Sequence, residues 1–374
     1  MKRTFVAILA VLLLGLAGCS DRVTQQGESS SSVSEQSEIR EQGGSFEETF
    51  MISGFDGKTS GELADRFTHV IYYNESIMEG VMNTPSSLLI NTMNDRVLLS
   101  YDKTTGIFAD ACRDPLCDHE SCVWASSGNR IYRGADGLFF LADEEDKTVL
   151  YHTDFNGANI KKLYTSANML SYVVQEGSYV YFLEEVPDEE TDLTVSRIVR
   201  MSPDSTDTDV LLERVGLYYF MPLGGNILFL DPDDGHMLFD TQTKQKQPFG
   251  PSEMLPLALC GEDFYYENDG ALYCASAYGA GDAVLLTDQI RVSELLFDDG
   301  MVYFQSENSI YRTSADFTEI TEIHTAKTGE RISNVIVDDS LLFYRYTVRK
   351  GSSRKHYFVF TDLQTGKTLE VINE

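Results

Sequence analysis

Gly177-Ser178-Tyr179-Val180-Tyr181-Phe182-Leu183 sets two turn-forming residues ahead of five residues that favour extended chain. The same arrangement returns as Asp136-Gly137-Leu138-Phe139-Phe140-Leu141 and as Gly225-Asn226-Ile227-Leu228-Phe229-Leu230. It returns again as Gly261-Glu262-Asp263-Phe264-Tyr265-Tyr266, Asp299-Gly300-Met301-Val302-Tyr303-Phe304 and Asp339-Ser340-Leu341-Leu342-Phe343-Tyr344. The copies recur at roughly 40 residues, the length of chain that makes one four-stranded blade of a β-propeller.

The surroundings of each copy agree with that unit. An apolar strand precedes it, as in Ser171-Tyr172-Val173-Val174 or Ser333-Asn334-Val335-Ile336-Val337, and two more strands follow. The turns between third and fourth strands carry Asp and Gly: Asp102-Lys103-Thr104-Thr105-Gly106, Asp154-Phe155-Asn156-Gly157 and Asp362-Leu363-Gln364-Thr365-Gly366. These residues supply local side-chain acceptors and positive φ. Long stretches with a 3.6-residue apolar period are missing, so helices should be minor. Many of the 20 Tyr and 21 Phe fall in the strands, where bulky side chains would fill the wedges between blades. The expectation is an all-β chain with seven four-stranded blades. Six copies are explicit, and a first, degenerate blade is assigned to 68–110, with strands at Thr68–Asn74, Ser87–Met93, Arg96–Asp102 and Ile107–Ala111. Six or eight blades stay open because Ser45 to Phe67 offers a further strand to close the ring.

Upstream of the repeat, Lys2 and Arg3 precede an apolar run from Phe5 to Leu16. That run is too short for a spanning helix, which needs about 20 residues, and has the length of a secretory signal's apolar core. Leu16-Ala17-Gly18-Cys19 resembles the bacterial lipobox, which implies cleavage after residue 18 and diacylglycerol on the Cys19 sulfur. Residues 20–47 are rich in Ser, Gln, Glu and Gly and bury too little to offset their ordering entropy. The expected organisation is therefore a signal peptide at 1–18, lipidated Cys19 and a flexible tether at 19–47, and the propeller at 48–374. The membrane is then met through the anchor alone, on the extracytoplasmic face of the cell membrane.

The chain carries a formal net charge of −30, and loss of Lys2 and Arg3 with the signal makes it −32. Phosphate backbones are bound by clustered Lys and Arg, so nucleic acid is excluded as a partner. Solubility alone explains an acidic surface.

Cys112-Arg113-Asp114-Pro115-Leu116-Cys117-Asp118-His119-Glu120-Ser121-Cys122 gathers three thiols and one imidazole within eleven residues. Thiolates with a neutral imidazole are what tetrahedral zinc selects, which makes Cys112, Cys117, His119 and Cys122 candidate ligands of a structural zinc ion. The spacing is not a common zinc pattern. A disulfide within the loop, favoured outside the cytosol, and inert thiols remain alternatives. Cys260 and Cys274 flank a hairpin whose expected turn, Asp269-Gly270, sets Cys274 opposite Tyr265, so two separate buried thiols are expected there.

The segment Leu150-Tyr151-His152-Thr153-Asp154-Phe155-Asn156-Gly157-Ala158-Asn159-Ile160-Lys161-Lys162-Leu163 resembles the blade motif of low-density-lipoprotein-receptor-type and TolB-type propellers. With the lipobox and the cysteine-rich insert, the chain resembles surface lipoproteins of Gram-positive gut bacteria over about residues 68 to 374. The resemblance implies a fold and a location, and no activity.

In a propeller, hairpins between second and third strands share a face with the blade-to-blade connections. The insert should lie on that face. Acidic tips should join it at Asp143-Glu144-Glu145-Asp146, Glu184-Glu185 with Asp188-Glu189-Glu190, and Asp231-Pro232-Asp233-Asp234. A basic loop, Arg349-Lys350-Gly351-Ser352-Ser353-Arg354-Lys355-His356, should face them. Asp143, Glu144, Asp146, Asp231, Asp233, Asp234, Arg349, Lys350, Arg354 and Lys355 are thus candidate partner-binding residues, for a protein or a glycan. Asp231 to Gly235 has oxygens suited to calcium but not the ligand spacing of an EF-hand. The chain contains no nucleophile elbow, HExxH, phosphate loop or dinucleotide fingerprint. A non-catalytic binding or scaffold module is the leading expectation. A glycan hydrolase using paired carboxylates at the channel is the alternative.

Overall fold

The computed structural model describes Arg40–Gly43, Thr49–Met51 and Val70–Tyr72 and, apart from short interruptions mostly in loops, residues 81–373. Every element among them is a strand. Seven runs of four consecutive antiparallel strands form the blades, at 81–110, 130–166, 169–215, 220–248, 255–287, 294–325 and 330–373. The protein is a seven-bladed β-propeller.

The quoted repeat is the second strand of each of blades 2 to 7, and its turn residues form the first hairpin. Gly177, Gly225 and Gly300 all take positive φ, and so does Ser340. Gly137 is required for a different reason: a Cβ there would lie 2.1 Å from the backbone oxygen of Thr153.

These strands are apolar at successive positions because both faces of a blade are covered. Val180 and Phe182 point into the wedge shared with blade 2, whereas Tyr181 and Leu183 point into the wedge shared with blade 4. Period-2 geometry thus assigns each residue to one of two interfaces. Seven apolar clusters among the described residues fill the seven wedges around the ring.

Blade 1 departs from expectation. Its innermost strand is Val81–Asn83, not the more apolar Thr68–Asn74. The cause is local: Thr84 and Ser87 close a tight hairpin, with Thr84 N–H donating to Ser87 O at 2.9 Å, which pairs Val81 with Ile90. Its other strands are short, at Ser87–Ile90, Leu99–Asp102 and Phe108–Asp110. Val70–Tyr72 instead pairs with Leu255–Cys260, the first strand of blade 5. Thr49–Met51, in the stretch considered for closing the ring, pairs with the last strand of blade 6. Arg40–Gly43, inside the expected tether, pairs with the last strand of blade 7. An edge strand accepts such additions because its backbone groups are unpaired, whatever the incoming side chains are.

The ring closes between blades 7 and 1 without sharing a strand. Phe343, Phe358 and Phe360 of blade 7 meet Leu88 and Ile90 of blade 1, and Tyr101 stacks on Phe360 at 4.2 Å between ring centroids. Across the same seam, Lys103 Nζ donates to Thr84 O and to the carboxylate of Asp338.

Candidate metal centre and loop face

The cysteine-rich insert leaves the outermost strand of blade 1 and is pinned at both ends to one short segment of that blade. Ala111 N–H donates to Leu98 O at 2.7 Å, and Leu98 N–H donates to Trp124 O at 2.9 Å. Ala125 forms an antiparallel bridge with Val97. This anchoring sets Cys112 and Cys122, the first and last of the four candidates, at the base of one loop.

Within the loop the chain doubles back. Asp114 Oδ1 accepts from Leu116 N–H at 2.9 Å, and Asp114 O accepts from Cys117 N–H at 3.2 Å, which makes a turn over Pro115-Leu116. Leu116 is left at its tip, 92% exposed. His119 takes φ of +58° and reverses the chain again. One ligand atom from each of Cys112, Cys117, His119 and Cys122 then lies within 4.8 Å of every other. Cys122 Sγ is 3.9 Å from His119 Nδ1. Bonds of about 2.3 Å to sulfur and 2.0 Å to nitrogen give tetrahedral edges of roughly 3.5–3.8 Å, so closing on an ion asks for shifts of about 1 Å. None of the five described cysteines is in a disulfide. Burial, helped by the neighbouring Cys117 and Cys112 thiols, pushes the Cys122 thiol up to about 12.

The base of the insert is a wedge. Val123 and Trp124 are buried between Met82 and Leu89 of blade 1 and Ile131, Leu138 and Phe140 of blade 2. Trp124 also lies over the turn of blade 2 at Gly157, where a Cβ would come within 2.7 Å of its ring. In blade 5, Asn268 pairs with Ala271 across the Asp269-Gly270 turn and Tyr265 pairs with Cys274, so Cys260 and Cys274 are not opposed. Cys260 is buried and Cys274 half-buried.

The loop face is uneven in height. The second strands of blades 4, 5 and 6 are six residues each, whereas those of blades 3 and 7 are ten, Tyr179–Asp188 and Leu341–Lys350. At about 3.3 Å per residue the extra four residues lift these hairpins by roughly 13 Å. Blades 3 and 7 stand across the ring from one another. The first carries Glu185 and Asp188, whereas Glu184 is buried and accepts from Ser166 Oγ and from Asn168 Nδ2 at 3.1 Å; the second carries Arg349, Lys350, Arg354 and Lys355. Arg349 and Lys355 are exposed, and the side chains of Lys350 and Arg354 lie outside the described residues.

The acidic residues divide into engaged and solvated. Asp143 accepts from Thr148 Oγ1 at 3.2 Å, and Glu144 pairs with Lys162 at 2.9 Å and with the Tyr151 hydroxyl. Asp146 and Asp234 are exposed. Asp231 is not a solvated tip. Its side chain is 1% exposed, and it accepts from Asp233 N–H at 3.0 Å and from Arg214 of blade 3 at 2.6 Å. The same guanidinium reaches Asp233 at 2.9 Å. Asp231 therefore ties blade 4 to blade 3. Sequence reading missed Arg214 as its partner, since nothing local marks a contact between two blades. Cys19, the signal segment and residues 19–39 lie outside the described residues.

No protein-family model and no curated protein sequence matches the chain. Among solved structures it is similar to the Pyrococcus horikoshii acylaminoacyl peptidase, with a TM-score of 0.51 and 11% identity, over 78% of this chain and 51% of that one. It is also similar to the Vibrio parahaemolyticus oligogalacturonate lyase, with a TM-score of 0.49 and 8% identity, over 90% and 97% of the two chains. TolB from Acinetobacter baumannii is a third, with a TM-score of 0.39 and 13% identity, over 79% and 78%. The chain spans about half the length of the peptidase, and at these identities the likeness is one of fold alone: antiparallel blades closed into a ring.

Proposed function

We propose that this protein is a lipid-anchored β-propeller on the extracytoplasmic face of the cell membrane, and that its loop face is a non-catalytic binding module for a protein or glycan partner. The observation that carries the binding part is the pair of tall hairpins of opposite charge on blades 3 and 7. They flank the same face from opposite sides, and a ring that only needed to close would have no use for their added height. Charged rims act mainly on the rate and selectivity of encounter. The lipobox at 16–19 supports the anchor.

Two measurements test the reading. Cys19→Ala should move the protein from the membrane fraction of the producing cell to the medium, and retention in membranes would refute the anchor. Screening the protein on glycan arrays and against surface-protein extracts should yield a ligand. Reversing Arg349, Lys350, Arg354 and Lys355 to Glu should weaken its capture about tenfold at low salt. Unchanged capture by the reversed variant, or turnover of any arrayed glycan, would overturn the module in favour of another surface or of a hydrolase.

A further inference from the structure

We infer that Cys112, Cys117, His119 and Cys122 bind one zinc ion in a closed Cys3His shell, and that this ion locks the insert so that Trp124 stays wedged between blades 1 and 2. The inference is independent of whichever partner the loop face binds.

Three observations converge on it. The four ligand atoms already lie within 4.8 Å of one another, although they come from a loop with no regular strand among its described residues. The backbone builds that convergence twice over, through the Asp114 turn that returns Cys117 and the positive φ at His119. Such a conformation is costly for a residue other than glycine and persists where its surroundings demand it. The donor set is also selective. Three soft thiolates and one imidazole fit zinc and not the hard cations, which take oxygen ligands. Four protein ligands leave no position for water or substrate, so the ion is structural. Its binding displaces the thiol protons to solvent, with no change of oxidation state.

The location explains what the ion is for. Blade 1 has the shortest strands of the ring, at three or four residues each, and offers blade 2 little surface. Val123 and Trp124 supply the missing apolar area, and they follow Cys122 directly. Among the described residues, the backbone hydrogen bonds that tie the insert to Val97 and Leu98 of blade 1 lie at its two ends, at Ala111 and at Trp124 and Ala125. Metal-ligand bonds across Cys112 and Cys122 close it at the base, next to Trp124.

Trp124 is the sole tryptophan of the chain, which makes it a built-in reporter. The protein, purified anaerobically without chelators, should contain close to one zinc per chain by elemental mass spectrometry. Cys117→Ser should retain less than about a tenth of that, whereas Cys260→Ser should retain all of it. Replacement of zinc by cobalt in the unmodified protein should give the visible d–d bands of a tetrahedral site and thiolate-to-metal charge transfer. Metal removal should shift Trp124 emission to the red and increase its quenching by iodide, and added zinc should reverse both. His119→Cys should keep the ion, as a four-thiolate shell. A zinc content below a tenth in unmodified protein with three titratable insert thiols would overturn the inference. So would a disulfide between any two of Cys112, Cys117 and Cys122 in the anaerobic protein. Bound zinc with unaltered Trp124 emission on its removal would overturn the locking role.

Discussion

Tyr132 and Glu294 lie in the first strands of blades 2 and 6, and both serve the next blade. The first strands of blades 3 and 7 are interrupted by a bulge, and Tyr172 and Asn334 within these bulges take φ of +54°. A bulge leaves backbone groups without ladder partners. Tyr132 Oη accepts from Tyr172 N–H at 3.1 Å, and Glu294 Oε2 accepts from Val335 N–H at 3.2 Å. Burial pushes the Glu294 carboxyl up to about 7. A carboxyl with a raised folded pKa favours the folded state while it is protonated. That contribution is full below the unfolded value and is lost as pH rises through about 7. Glu294→Gln keeps the acceptor and removes the proton. Its melting temperature should match that of the parent near pH 5 and exceed it near pH 8, by on the order of 1–2 kcal/mol in stability once partial exposure is allowed for. Parallel melting curves for the two proteins from pH 5 to 8 would rule this out. The opposite sign holds at Asp102, Asp154, Asp240 and Asp362. Backbone N–H donors in their turns hold each carboxyl below its usual range, so any contribution falls away in acid.

Among the elements, the seam between blades 7 and 1 joins the first and last blades of the chain. Lys103 and Asp338 are 235 residues apart, and nothing in either sequence neighbourhood announces the pairing. Phe360 is fully buried there between Tyr101 and Phe343. Phe360→Ala should cost about 3–5 kcal/mol by urea denaturation. Hydrogen exchange should accelerate first in 81–110 and 330–373. Uniform acceleration in all blades would mean that the seam has no separate stability. The elements also show where sequence reading succeeded and why it stopped. Turn chemistry followed by an unbroken apolar strand marked the second strand of six blades, because that strand is buried on both faces. The second strand of blade 1, Ser87–Ile90, is only four residues long and lacks the aromatic run of the other copies, and a three-residue inner strand of mixed polarity, Val81–Asn83, lost to the more apolar Thr68–Asn74. The insert's three thiols and one imidazole were legible from residue type. Their convergence was not, since it depends on hydrogen bonds to Leu98, which lies before the insert. Asp231 was misplaced among solvated tips for the same reason: its partner Arg214 belongs to another blade.

For the molecule as a whole, 59 acidic residues against 29 basic ones leave a formal charge of −30. Self-repulsion of that kind opposes compactness and is screened by salt. Raising ionic strength from about 0.02 to about 0.2 M should therefore raise the melting temperature by a few degrees. A melting temperature indifferent to salt would show that local ion pairs, such as Arg214 with Asp231 and Asp233, already compensate the excess. The same field repels an anionic lipid surface, so a propeller tethered at Cys19 would be held away from the bilayer rather than against it.

Each blade's four core strands come from one uninterrupted stretch of chain, and no blade borrows a core strand from the far end. A genetic duplication or loss of about forty codons would then add or remove the four core strands of one blade and leave the core strands of every other blade whole. What it would have to re-establish is a single junction between the first and last copies. Paralogues that differ in blade number should accordingly diverge most at that junction, around Tyr101, Lys103, Asp338 and Phe360, and least in the turn-and-strand units that repeat.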